Sequence, residues 1–367
     1  MSQPIHLGLI FGGRSAEHAV SLQSARNILS ALDRNKYTIS LIGIDRDGQW
    51  YLNAESQLLL NQSHPELLRL NQASEALVLR PGSEGAQLVR ASNQSPLPAL
   101  DVAFPVLHGT YGEDGAVQGL LRMAGVPFVG SDILGSAVGM DKDVMKRLLR
   151  EAGLPTPRFR TRYAWQDNSD LSEVIAQLKG YPVFVKPANL GSSVGIHKVK
   201  SAEQLAPALA DAFLYDHKVL IEQGLDCREI ECAVLGNTES GLQVSVPGEI
   251  KVQAAFYSYE AKYIDPEGAS LQIPADLSEE LTTRIQELAR QTFQVLNAAG
   301  LARIDFFLTP DDRLYVNEIN TLPGFTKISM YPKLFEASGI GYAELLDRLI
   351  TLALERDRAQ RRLKTSF

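Results

Sequence analysis

Residues 302–320 read Ala-Arg-Ile-Asp-Phe-Phe-Leu-Thr-Pro-Asp-Asp-Arg-Leu-Tyr-Val-Asn-Glu-Ile-Asn, two alternating apolar and polar runs joined at a turn, which is the pattern of a β-hairpin. A two-residue turn at Asp311-Asp312 sets Asp305 opposite Glu318. Period-2 alternation then collects Arg303, Asp305, Glu318 and Asn320 on one face, and Ile304, Phe306, Leu308, Tyr315 and Ile319 on the other. Opposed carboxylates repel, so the pair needs either a cation between its members or solvation by water. All-oxygen ligands of this kind suit magnesium. A solvated charged rim on an edge hairpin is the plain alternative. Thr321-Leu-Pro-Gly324-Phe follows, a tight turn where a site needs exposed backbone N–H groups.

A second group of residues suits phosphate. Phe184-Val-Lys186-Pro ends a strand and runs into Asn189-Leu-Gly191-Ser192-Ser193-Val-Gly195, a small-residue loop whose N–H groups can close over an anion while Lys186 reaches it from below. Taken alone, such a loop is more often a simple turn. No P-loop motif occurs, and no Gly-x-Gly-x-x-Gly follows the first strand, so neither of those nucleotide folds is supported. A triphosphate concentrates about four negative charges, and one close unit-charge pair is worth roughly 4 kcal/mol at an effective dielectric of 20. One lysine cannot balance that. Lys142, Lys262 and the hairpin's magnesium are the other candidates, so the two groups make more sense together than apart.

The elements that must position these residues divide the 367-residue chain into more than one compact unit. The first third alternates strands (His6–Phe11, Tyr37–Ile44, Val102–Leu107) with a helix from about Ser15 to Leu32, the order of a parallel sheet covered by helices. This predicts an α/β unit over 1–130, interrupted from Trp50 to Pro98 by a weakly periodic insertion expected to lie outside the core. A central unit over 131–223 holds a helix from Lys142 to Ala152 and the phosphate loop; a C-terminal unit over 224–367 holds a long loop from Pro247 to Pro274, a helix near 277–298 and the hairpin. The last helix is expected over Tyr342–Glu355, with a frayed charged tail from Arg356.

Bulk properties narrow the partners. A formal net charge of −7, with no long basic run, offers little to nucleic acid or anionic lipid. The two cysteines, Cys227 and Cys232, have no second pair to complete a zinc site and read as ordinary thiols. No basic region precedes the apolar run at Ile5–Phe11, and no stretch reaches the ~18 apolar residues of a spanning helix. A cytoplasmic protein is expected.

The ordered motifs resemble those of an ATP-grasp enzyme, within it the longer subtype of the D-alanine–D-alanine ligase family. They are Phe11-Gly-Gly-Arg-Ser-Ala-Glu-His-Ala-Val-Ser21, His108-Gly-Thr-Tyr-Gly-Glu-Asp-Gly115, Met140-Asp-Lys142, the Lys186–Gly195 loop, Glu222-Gln-Gly, Tyr259-Glu-Ala-Lys-Tyr263 and the hairpin through Gly324. The resemblance implies an ATP-grasp fold preceded by a Rossmann-like domain, α/β (α+β) in class. It implies that Lys142, Lys186, Lys262, Gly191, Ser192 and Ser193 hold ATP phosphates, that Glu222, Gln223 and Leu225 take the adenine, and that Glu229 binds the ribose. Asp305, Glu318 and Asn320 would carry two magnesium ions, or manganese in their place. Glu17, which otherwise reads as a helix-capping carboxylate, would pair with the ammonium of a first D-alanine and join Ser192 and Tyr263 in a hydrogen-bonded trio. His108 would touch the first carboxylate, Ser329 and Met330 would face the second D-alanine, and Arg303 with the Gly324 N–H would hold a tetrahedral oxyanion. The long loop with Tyr257, Tyr259 and Gly268 would act as a lid. A homodimer is implied. A catalytically silent nucleotide-binding sensor, a D-alanine–D-lactate ligase or another ATP-grasp ligase are the alternatives.

Overall fold

The computed structural model describes residues 3–54, 75–82, 85, 87–167, 169–252 and 269–364. Its first sheet comprises β1 (Ile5–Gly12), β2 (Tyr37–Ile44), β3 (Trp50–Asn53), β4 (Glu75–Leu79), β5 (Leu88–Arg90) and β6 (Val102–Val106), in the order β5-β4-β3-β2-β1-β6. β1 runs parallel to β2 and β6, as the alternation of strands with helices requires. Its side chains alternate between two cores. Leu7, Leu9 and Phe11 face one, while Ile10, with Ile42 and Ala103, faces the other. α1 (His18–Ala31) and α2 (Ala116–Met123) complete this unit.

The insertion departs from expectation. Three antiparallel strands, β3 to β5, extend the sheet, and Leu77, Leu88, Val89 and Leu97 are buried. Strands this short carry too few residues for alternation to stand out in the sequence.

α3 (Ile133–Met140) and α4 (Lys142–Glu151) lead into the second sheet. Asp141 caps α4 by accepting the N–H groups of Asp143 and Val144. The second sheet joins β7 (Phe159–Tyr163), β8 (Val183–Pro187), β9 (His197–Val199) and β10 (Lys218–Gln223) in the order β7-β10-β8-β9, with every neighbouring pair antiparallel. α5 (Leu171–Gln177) and α6 (Ala202–Ala212) cover one face, where Val183, Val185, Val219 and Ile221 are buried with Val174 and Leu209. Alternation sends Phe184 and Lys186 to the opposite face.

The third sheet contains β11 (Arg228–Asn237), β12 (Gly241–Val244), β13 (Gly248–Val252), β14 (Ala269–Gln272), β15 (Gly300–Leu308) and β16 (Leu314–Asn320). Its order is β14-β13-β11-β15-β16, with β12 paired to β11. α7 (Glu279–Val295) buries Ile285, Ala289 and Phe293 against Ile230, Cys232, Ile304 and Phe306. On the other face, Ala233, Leu235 and Leu301 join the core that also holds Leu7, Leu9 and Phe11, sealed by α8 (Met330–Ala337) and α9 (Tyr342–Arg361).

The chain's end is also a correction. α9 continues to Arg361, and Arg356 donates to the carbonyls of Gly130 and Phe128 while lying 5.0 Å from the Phe128 ring centre. Arg356, read as the start of a frayed tail, is an anchor, because its partners are backbone carbonyls some 230 residues earlier that no local pattern announces.

Candidate active site

The hairpin meets the expected pairing by a different route. Its turn is one residue longer than expected: Thr309 N–H donates to the Arg313 carbonyl over 3.0 Å, and Asp312 takes a left-handed φ of 58°. That shifts the register to Phe306↔Val316, and a bulge that leaves Asn317 unpaired restores Asp305↔Glu318. Two irregularities cancel. The bulge also turns Tyr315 away from the apolar face to which alternation assigned it, since it now pairs with Phe307 while Leu314 and Val316 are buried.

These strands form one wall of a cleft of about 290 Å³, lined by Lys142, Phe184, Lys186, Gly191, Ser192, Ser193, Gln223, Leu225, Glu229, Glu231, Asp305, Phe307, Asn317 and Glu318 among others. The other wall is the exposed face of the second sheet. Two aromatic rings, Phe184 and Phe307, and the charged strand residues Lys186, Glu229, Glu231, Asp305 and Glu318 thus share one space. Arg303 donates twice to Asp305 and lies 2.9 Å from Glu231. Burial works against its charge, but Asp305 and Glu231 outweigh burial and hold the guanidinium well above its ordinary pKa. Lys142 donates to the Leu190 carbonyl over 2.6 Å and stands 3.4 Å from Glu318.

Glu17 makes no side-chain capping bond at the start of α1; its carboxylate instead accepts the Ser192 hydroxyl, tying the first unit to the small-residue loop after β8. Ser192 and Ser193 both adopt left-handed backbone, at φ 52° and 59°, a conformation costly for residues with a Cβ and concentrated at functional loops. Glu17 also crowds Gly109, where a Cβ would stand 2.9 Å from its Oε2.

Other expected residues are placed less simply. His108 is buried with both ring nitrogens engaged, Nδ1 3.1 Å from the Leu322 carbonyl and Nε2 3.3 Å from the Ser24 hydroxyl, and burial lowers its pKa. Ser329 Oγ accepts the Thr326 N–H at 2.9 Å and sits where a Cβ on Gly324 would come within 2.8 Å. Met330 is packed in the core, so its side chain does not line the cleft. Asn320 accepts the Leu322 N–H at 3.1 Å, which turns its oxygen toward the 321–325 loop. Glu222, expected to take the adenine, is only 1% exposed, its carboxylate between Lys146 and Lys186; Gln223 and Leu225 line the cleft and the Glu222 side chain does not. Lys262, Tyr263 and the lid residues Tyr257, Tyr259 and Gly268 lie outside the described residues.

Sequence reasoning missed Lys146, Glu113, Glu231 and Asn317. Glu231 was within reach, since Glu229 and Glu231 share a strand face. Glu113 is buried and accepts the Gly109 N–H at 2.7 Å; burial, and then the nearby Glu17, raise its pKa well above the carboxylate range. Cys227 and Cys232 are free thiols, pushed by burial to about 12, too high for either to serve as a nucleophile.

Among known proteins, the sequence profile described as D-ala D-ala ligase N-terminus matches residues 6–131, and that described as D-ala D-ala ligase C-terminus matches residues 148–351. The chain belongs to the D-alanine–D-alanine ligase family. It is 52% identical to the D-alanine--D-alanine ligase A of Escherichia coli (strain K12), with 100% of each chain covered, and 53% identical to the D-alanine--D-alanine ligase of Oceanobacillus iheyensis, with 98% of each covered. Solved structures agree. The D-alanine-D-alanine ligase from Coxiella burnetii superposes with a TM-score of 0.86 at 38% identity, covering 98% of this chain and 97% of its own. The VanG D-Ala:D-Ser ligase from Enterococcus faecalis gives 0.84 at 35%, covering 96% and 100%. The ATP-grasp fold with its Rossmann-like first unit is that of the family.

Proposed function

We propose that the chain joins two D-alanine molecules into D-alanyl-D-alanine with ATP, through an acyl phosphate, and so supplies a peptidoglycan precursor. The observation that carries this reading is the cleft itself, in which Lys142, Lys186 and the Gly191–Ser193 loop face the opposed acids Asp305 and Glu318. Full-length likeness to the ligases named above supports the choice of substrate.

In this reading Lys142, Lys186 and the loop hold the polyphosphate, and Gln223, Leu225 and Glu229 take the nucleoside, with Phe184 and Phe307 as apolar walls. Two opposed carboxylates in one cleft fit a hard divalent cation. Asp305, Glu318 and Asn320 would hold magnesium, or manganese, which neutralises charge on the transferring phosphoryl group when bound.

A carboxyl oxygen of the first D-alanine attacks the γ-phosphorus, the bond to ADP breaks, and the acyl phosphate forms. Glu17, held by Ser192, pairs with that substrate's ammonium. The amine of the second D-alanine then attacks the acyl carbon. Arg303 and the Gly324 N–H stabilise the oxyanion, and inorganic phosphate leaves. Exclusion of water protects the acyl phosphate, the purpose assigned to the lid; the 247–274 segment expected as one loop instead carries strands β13 and β14, and residues 253–268 between them lie outside the described residues.

The same reading makes the enzyme a cytoplasmic homodimer with no nucleic-acid or membrane partner. Among the described residues no helix is long and apolar enough to cross a membrane, and Met123 and Leu134, 68% and 59% exposed on α2 and α3, offer an apolar surface to a second copy. A coupled assay of ADP release decides the central claim. D-Alanine is expected to drive turnover with magnesium present, whereas L-alanine, or D-lactate as second substrate, is not; ADP release indifferent to D-alanine would sink the reading.

A further inference from the structure

Beneath Lys186 lies a second ammonium that the reaction above does not use. Lys146, on α4, has a fully buried side chain, yet its Nζ stands 2.8 Å from Glu222 Oε2 and donates to the Asn317 carbonyl over 2.9 Å. Glu222 is 1% exposed, and its Oε1 accepts from Lys186. Lys186 in turn reaches within 3.4 Å of Asn317 Oδ1. One carboxylate is therefore shared by two ammoniums, and the trio carries one surplus positive charge.

The position of that surplus is set by geometry. Lys146 has no exposed surface, whereas Lys186 keeps 8% and lines the cleft. Only Lys186 can meet a ligand. We propose that Lys146 is a positioning residue, which neutralises Glu222 from below so that the charge of Lys186 is available to the polyphosphate, and which fixes the bulge at Asn317 beside it. Without Lys146, the acid and Lys186 form a closed neutral pair, and a phosphate must compete with a buried carboxylate for the same ammonium. Burial pulls the Lys146 ammonium below its ordinary range and Glu222 pulls it back; burial likewise raises Glu222, but the two lysines outweigh it. The carboxylate stays charged and needs both partners.

This inference rests on the nucleotide reading, and its test separates the two. Calorimetric titrations with ADP and with adenosine, in magnesium, are run on the wild-type chain, Lys146→Met, Glu222→Gln and the double variant. Lys146→Met is expected to weaken ADP at least ~10-fold and adenosine less than about twofold, because adenosine has no phosphate to lose. In the Glu222→Gln background the same substitution is expected to change ADP affinity by less than about threefold, since no acid remains to capture Lys186. An equal loss in both backgrounds, or an equal loss for adenosine, overturns the proposal and leaves Lys146 a packing residue. Lys146→Gln, which keeps a donor toward Asn317, must show the same pattern and serves if the methionine variant does not fold. A wild-type chain that binds no ADP overturns the nucleotide reading itself.

Discussion

Arg303 grips Asp305 through two parallel hydrogen bonds of 2.8 Å each, from a position two residues earlier on the same strand. The contact fixes the carboxylate of the residue that pairs with Glu318 across the ladder, and it holds the guanidinium beside two cleft-lining acids, Asp305 and Glu231. Charge-assisted pairs of this kind are both strong and directional.

Asp305→Asn keeps the shape but removes the charge, and one of the two Arg303 bonds then faces an amide. In the proposed reaction the lost interaction acts on the transferring phosphoryl group, so kcat is expected to fall by about 10²–10³ or more. The thermal midpoint should move by only a few degrees. Near-normal ADP release from the variant would refute the assignment.

Ser192→Ala removes the hydroxyl that Glu17 accepts across 175 residues of chain. A hydrogen bond to a charged group contributes about 1.5–3 kcal/mol. Glu17 would then be aimed less well at the first substrate's ammonium, so KM for D-alanine is expected to rise roughly 10-fold. Initial rates over a D-alanine series give the check, and an unchanged KM would count against the role of Glu17.

Glu113 supplies a test by pH. Its folded pKa is raised above the ordinary 4.5, chiefly by burial and next by Glu17, so the folded protein holds this proton more tightly than the unfolded chain. The stability it contributes is therefore complete below about 4.5 and is lost as pH rises through the folded value. Glu113→Gln keeps an acceptor for the Gly109 N–H but cannot ionise. The melting temperature of the variant minus that of the wild type is expected to grow with rising pH above 4.5; a difference flat in pH would contradict it.

Arg356→Ala deletes the bonds to Gly130 and Phe128 and the contact with the Phe128 ring. The loss is expected to be about 2–4 kcal/mol, read from chemical denaturation, with KM values for ATP and D-alanine unaltered. A frayed tail, by contrast, would tolerate the change without cost.

How far the sequence discloses all this depends on whether a signal is local. Alternation in residues 302–320 locates both acids, because a strand's faces repeat every two residues. The small residues at 191–193 likewise mark a loop. What it misses is longer in range. Lys146 sits on a strongly amphipathic helix whose pattern marks it as one more polar residue, and only the folded chain shows that it points inward at Glu222. The bulge at Asn317 is invisible for another reason: a lengthened turn cancels it, so the simple register gives the right pair from the wrong geometry. Arg356 fails as a prediction because its acceptors are carbonyls, which every residue carries.

One consequence follows from the way α9 is fastened back onto the start of the chain. Leu345, Leu349 and Ile350 share a single core with Leu7, Phe104 and Leu235, whereas the sheet of residues 159–223 keeps its own. The first and last thirds therefore share one continuous core that the second sheet does not join. Opening the cleft at the second sheet breaks polar latches such as Ser192 to Glu17, whereas opening it elsewhere cuts through that shared core, so product escape costs least on the side of the second sheet.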